Sequence, residues 1–253
     1  MTDLWIQCEG SAHLCSLNET AWRLVEAQEK IATRKLVDSL EEQDILEEII
    51  ETNKPFINKE HLNYHPLLYT PFRYPPLKYG SRFGAKNEPS LWYGSLELNT
   101  AMAEKAFYQL NFLRASVAKY DFVEQQLTAF SVPIKTDRAI KIQAQPFADY
   151  THLVSAKNSY ETSQSLGSSM RKAEVAAFTY QSARDPNNGI NVALFTPKAF
   201  LHKKPDTKSF QSWQCIANNN SIEFVRSSSI FTNIKSFSLE QFTIENTLPF
   251  PAN

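Results

Sequence analysis

Residues 72–110 read FRYPPLKYGSRFGAKNEPSLWYGSLELNTAMAEKAFYQL, passing from a proline-rich stretch through a glycine-bracketed turn and a short aromatic run into an amphipathic helix. Pro71, Pro75 and Pro76 fix φ around Phe72-Arg73-Tyr74 and push the residues before them towards extended geometry. This places Arg73 on a short strand or edge and keeps it out of a helix interior. In Tyr79-Gly80-Ser81-Arg82-Phe83-Gly84 the second arginine is bracketed by glycines, which tolerate positive φ and let a ligand approach the backbone. A guanidinium is a planar fork of donors matched to phosphate oxygens. Leu91-Trp92-Tyr93 has the make-up of a short strand, Gly94-Ser95 breaks it, and Asn99 or Thr100 is placed to cap the helix that follows.

Within that helix Ala103, Ala106, Phe107 and Leu110 recur at i, i+3, i+4 and i+7 and define one buried stripe. Glu104 lies beside the stripe, and its small neighbours Ala101 and Ala103 leave room for something to approach the carboxylate. A lone helical glutamate is most often a solvated surface residue, and Tyr74 and Tyr93 are by composition ordinary core aromatics. The run as a whole sets two arginines, three tyrosines and one helical acid around turn residues that bring chain segments close together. The run reads as a nucleotide-binding and bond-cleaving site.

Further along, EVAAFTY (174–180) and Asn191 to Thr196 read as strands separated by the polar loop QSARDPNNG, with Ser182 at a strand end. The order Arg73-Tyr74, GSRFG with Arg82, WYGSLELNTAMAE with Tyr93 and Glu104, then YQSARD with Ser182 and NVALFTP resembles the RES domain over roughly residues 67 to 200. That family is named for its arginine, glutamate and serine. The resemblance implies an α+β, ADP-ribosyltransferase-like mixed-sheet core and a toxin of a toxin-antitoxin pair that destroys NAD. It implies NAD as substrate, no resident cofactor, and a cognate antitoxin of helix-turn-helix type. Glu104 and Arg73 are the expected catalytic residues, and Arg82, Tyr74, Tyr93 and Ser182 the expected substrate contacts. The arginines would clamp the pyrophosphate or orient the nicotinamide ribose, in either assignment, and Tyr79 is a weaker candidate. Ser182 has no histidine or acid at triad-like spacing, so its expected part is a hydroxyl donor to the nicotinamide amide or a phosphate. The ADP-ribose acceptor is open among water, phosphate and a protein side chain, and a catalytically silent binding module is the reading from another class.

Composition narrows the field. The chain has 253 residues, 42% of them hydrophobic, enough for one sizeable core, and a formal net charge of −1, which lacks the basic footprint of a nucleic-acid binder. Cys8, Cys15 and Cys215 show neither paired spacing nor an even count, so neither a disulfide framework nor a zinc site is indicated. No glycine-rich dinucleotide or phosphate loop occurs, and His61 and His65, though four apart, are followed at once by Pro66, which argues against a metal pair. With no targeting segment or membrane span in view, a cytoplasmic location is expected.

Before the site, Ser16-Leu-Asn-Glu19 followed by Trp22, Leu24, Val25 and Ile31, and Ser39-Leu-Glu-Glu42 followed by Leu46, Ile49 and Ile50, read as a helical hairpin of about 40 residues ended by Asn53-Lys54-Pro55. Residues 1–60 are thus expected to form an N-terminal helical extension and 61–253 the catalytic domain. Val117 to Phe130 resists assignment. Val132-Pro133-Ile134 and Ala139 to Ile142 read as two short strands, the first an edge because of its proline, Asn158 to Lys172 as a helix with a weak spot at Gly167, and Ser212 to Ala217 with Ile222 to Arg226 as a hairpin.

Overall fold

A computed structural model describes residues 3–27, 36–74, 78–118, 121–227 and 232–250; Ile31, Pro75, Pro76 and Tyr120 lie outside them. In chain order the helices are α1 (Leu4–Gln7), α2 (Leu40–Asn53), α3 (Pro66–Arg73), α4 (Leu98–Ala115), α5 (Thr151–Val154) and α6 (Glu161–Lys172). The strands are β1 (Cys15–Glu26), β2 (Trp92–Ser95), β3 (Val123–Lys141), β4 (Ala177–Gln181), β5 (Ile190–Leu194), β6 (Gln211–Ala217), β7 (Ser221–Ser227) and β8 (Thr232–Ser238). The strands form one mixed sheet in the order β1-β2-β5-β4-β3-β6-β7-β8, and β1 also pairs with β3. That extra pairing closes the first five strands into a ring, from which β6-β7-β8 extends.

Among the described residues three clusters make up the core. Leu17, Ala21, Trp92, Phe130, Val132, Ala177 and Val192 come from all five strands of the ring and fill its inside, together with Leu68 of α3 and Phe200. On one outer surface α1 and α6 bury Trp5, Leu166 and Met170 against Phe178, Tyr180 and Ala193. On the other, the stripe of α4, with Ala103, Ala106, Phe107 and Leu110 all buried, packs on Leu127, Trp213, Cys215 and Phe224 of the extended sheet. The α+β architecture and the stripe match the sequence reading.

The N-terminal hairpin does not. Residues 15–26 form β1, which pairs along its length with β3 from Cys15↔Ala139 to Glu26↔Leu127. Residues 1–60 therefore are not a separate helical unit, because their first half completes the ring. Trp22, Leu24 and Val25 satisfy a helical period and a strand period alike, and pairing with β3 decides between them. The second half behaves as expected: Ser39 caps α2 by accepting from the backbone N–H of Glu42 (3.0 Å), although the Glu42 carboxylate turns to the N–H of Asp38 (2.8 Å) instead of closing the box.

Val123 to Lys141 is one strand where two were expected. Pro133 sits in its middle, opposite Thr20. Its carbonyl accepts from Leu201 N–H (2.9 Å), so its ring nitrogen also faces that loop, and the missing N–H removes no bond to β1. Pro133 thus occupies a local edge inside a long strand.

Candidate active site

The turn at 81–84 is held by two backbone bonds between Ser81 and Gly84 (2.8 and 3.3 Å). It is pinned from beneath by α6, since a Cβ on Gly167 would stand 2.0 Å from the Phe83 carbonyl oxygen. Only a glycine lets the helix approach this closely, so the expected weak spot of α6 is a packing contact. Arg82 on this turn is 6% exposed. Its Nη1 donates to the carbonyls of Val154 (3.2 Å) and Ala156 (2.9 Å), and its guanidinium lies 4.8 Å from the centre of the Tyr160 ring. No bond to described residues engages its Nε or Nη2. Tyr93 ties the turn to β2: its hydroxyl accepts from Phe83 N–H (3.1 Å) and shares a bond with Ser81 Oγ (2.8 Å). Burial of that hydroxyl pushes its pKa up to about 12, so the phenol is neutral.

On the facing helix, α4 places Glu104 one turn beyond Thr100. Thr100 Oγ1 donates to Asp185 Oδ2 (2.6 Å), which fastens the 182–189 loop to the start of the helix, where an acid is also favoured by the helix dipole. A Cβ on Gly189 would collide with both partners of that bond. The loop carries Ser182, whose Oγ accepts from the N–H groups of Arg184 and Asp185 (3.0 Å each) and donates to Glu104 Oε1 at 2.6 Å. Asn191 of β5 donates to the same Oε1, also at 2.6 Å, and its other amide atom accepts from Ser95 Oγ (2.7 Å). Glu104 Oε2 takes no donor from the described residues. The carboxylate is held by one oxygen and presents the other.

Glu104, Arg82 and Tyr93 line one cleft of about 580 Å³ between α4, β1, β2 and the 79–82 turn. Its floor is polar and buried, with Arg82, Ser95 and Asn191, and its rim carries the exposed rings of Tyr79, Tyr108 and Phe112. Buried Tyr180 adjoins Glu104, and burial followed by that negative charge raises its pKa well above the ordinary tyrosine value.

Of the other expected residues the structure brings Ser182 to Glu104 but leaves Arg73 and Tyr74 out of the cleft lining. Arg73 closes α3, where its Nε donates to the Pro55 carbonyl (2.7 Å) and its Nη2 pairs with Glu51 (3.1 Å). Two corrections follow: Arg73 is helical, because Pro66 at the first turn starts a helix that tolerates Pro71, and it staples α2 to α3 away from the cleft. Tyr74, the C-cap of the same helix, is 39% exposed and does not line the cleft. Ser182 comes to Glu104, but its single proton points to the carboxylate and not to a ligand.

Two cleft residues, Asn191 and Arg23, and the buried Arg184 behind Phe107 escaped the sequence reading. Asn191 left one signal, an amide heading an otherwise apolar strand. Arg23 lay in the stretch read as helix; it lines the cleft, its guanidinium sits 5.3 Å from the Trp92 ring centre, and burial pushes its pKa down to about 10. Arg184 is buried with its guanidinium 3.4 Å from the Phe107 ring centre, one donor on the Lys157 carbonyl (2.9 Å) and Nη1 without an acceptor among the described residues. Among these residues no group of three or more His, Cys, Asp or Glu is placed to hold a metal ion, and no helix is long and apolar enough to cross a membrane.

Known proteins offer two points of comparison. A chain in the crystal structure of the M.tuberculosis MbcT-MbcA toxin-antitoxin complex is similar with a TM-score of 0.44 and 10% identity, over 94% of this chain and 93% of that one. No curated protein matches. The model of the RES domain matches residues 57–215, a span that holds Arg82, Tyr93, Glu104, Ser182 and Asn191. With more than half of its length matched, the chain belongs to the RES domain family.

Proposed function

We propose that this protein cleaves the nicotinamide–ribose bond of NAD and passes ADP-ribose to water or phosphate, and that it serves as the toxin of a toxin-antitoxin pair. The observation that carries the reading is the fixation of Glu104 through Oε1 by Ser182 and Asn191, with Oε2 left to the cleft. Expelling nicotinamide builds oxocarbenium character on the ribose. A carboxylate held in advance beside that ribose lowers the barrier through its charge or through a hydrogen bond to a ribose hydroxyl, as in glycoside hydrolysis. The uncommitted Nε and Nη2 of Arg82 supply donors for a phosphate oxygen, and the Tyr93 ring gives a flat neutral wall. NAD is a substrate in this scheme, and no resident cofactor takes part. The exposed aromatic rim suits a covering antitoxin, which the family resemblance implies to be of helix-turn-helix type.

The test is direct: purified protein is incubated with NAD and nicotinamide release is followed, with and without phosphate. Release that depends on Glu104 is the expected result. Absence of release under both conditions removes the enzyme reading in favour of a silent binding module, and release undiminished in Glu104→Gln removes the site assignment. ADP-ribose appearing on a protein rather than free in solution would replace the glycohydrolase with a transferase.

A further inference from the structure

The family match ends at residue 215, yet the cleft is also lined by Phe250. The tail that delivers this ring is built to do so. After Phe242, Ile244 and Thr247 exchange backbone bonds of 2.9 Å in both directions around Glu245 and Asn246, whose φ values of 49° and 61° make the tight reversal. Leu248 then packs on the α4 core and Pro249 is buried, which leaves Phe250 at the cleft mouth. There its ring meets Tyr79 edge-on, with centroids 6.2 Å apart and planes at 84°. Tyr79 is itself held by its backbone, its carbonyl accepting from Gln164 Nε2 (3.0 Å) and Gly80 turning the chain at a φ of 76°.

Both rings are held through their backbone and stay open to solvent, Phe250 55% and Tyr79 43% exposed, with the Lys78 ammonium 5.1 Å from the Tyr79 ring centre. The floor of the cleft carries charge and hydrogen-bonding groups suited to ribose and phosphate, whereas the rim offers π-faces. A base has no charge for the floor to meet, but it stacks on any aromatic face. We propose that Phe250 and Tyr79 form the seat of the base at the non-reacting end of the substrate, so that the C-terminal tail makes the enzyme prefer a dinucleotide to a mononucleotide. This inference rests on the NAD reading above for its kinetic test and on binding alone for its second.

The experiment compares the full chain with Phe250→Ala, using NAD and nicotinamide mononucleotide as alternative substrates and ADP as a binding probe followed by tryptophan fluorescence, since Trp22 lines the cleft. The expected result is a drop of about tenfold in kcat/KM for NAD relative to the mononucleotide, carried by KM, with ADP binding weakened in proportion. Phe250→Tyr should restore both. An equal effect on the two substrates, no effect on either, or tighter NAD binding because the ring was a plug would each overturn the seat. Should the parent protein cleave neither substrate, the proposed function fails, and ADP binding still decides the seat: unchanged affinity in Phe250→Ala, or no ADP binding at all, rejects it.

Discussion

Ser182 and Glu104, 78 residues apart in the chain, meet in a hydrogen bond of 2.6 Å whose direction is fixed, because the serine oxygen already accepts two backbone N–H groups and has a single proton to give. A hydroxyl so committed is neither a nucleophile nor a free donor to a ligand. It orients the acid, and the loop that carries it is fastened by Thr100 and Asp185 to the same helix that carries the acid. The site is a closed circuit of short bonds around one carboxylate oxygen.

Glu104→Gln keeps the size of the side chain and removes its charge. Nicotinamide release from NAD should fall by at least about 10²-fold, while the thermal midpoint changes little because Glu104 is only half-buried. Full activity in this variant would remove Glu104 from the mechanism.

Ser182→Ala leaves the N–H groups of Arg184 and Asp185 without an acceptor and takes one donor from Glu104. The expected cost is about 1–3 kcal/mol of stability together with a loss in kcat greater than the change in KM. Chemical denaturation and steady-state kinetics on the same preparation check both.

Arg73→Ala separates the two arginines. It breaks the bonds to Glu51 and the Pro55 carbonyl made by a side chain only 10% exposed, which should cost about 1–3 kcal/mol of stability. Arg73 does not line the cleft, however, so the activity of the folded variant should stay close to that of the parent. Arg82→Ala, which empties the buried position beneath the cleft, should abolish measurable turnover.

Gly167→Ala tests which of two effects wins. Helix propensity alone favours alanine by about 1 kcal/mol, but the added methyl would stand 2.0 Å from the Phe83 carbonyl oxygen. The clash is with backbone and cannot be relieved by a rotamer, so the variant should be less stable by about 1–3 kcal/mol. The thermal midpoint should fall, and activity with it, because the displaced turn carries Arg82.

Tyr93 sets an alkaline limit. Its folded pKa of about 12 lies above the ordinary tyrosine value of 10, so the stability it contributes is whole below pH 10 and is lost as pH rises towards 12. Denaturation midpoints measured from pH 8 to 11.5 should decline less steeply in Tyr93→Phe than in the parent, on top of a constant loss from the unpaired Phe83 N–H.

By itself the sequence determined the features that local chemistry dictates. The stripe of α4, the Ser39 cap, the glycine-bracketed turn around Arg82 and the polar loop after β4 are all legible, because each depends on neighbours within a few residues. The ring, the fate of residues 15–26 and the company of Glu104 were decided only by tertiary structure. Trp22, Leu24 and Val25 fit either period, and it is pairing with a strand more than a hundred residues away that makes them a strand. Arg73 and Arg82 look alike in sequence, each a cation among aromatics and turn formers. They part only in space, where one finds Glu51 and the Pro55 carbonyl and the other the two carbonyls beneath the cleft, since a guanidinium goes to whichever acceptors the fold brings within reach.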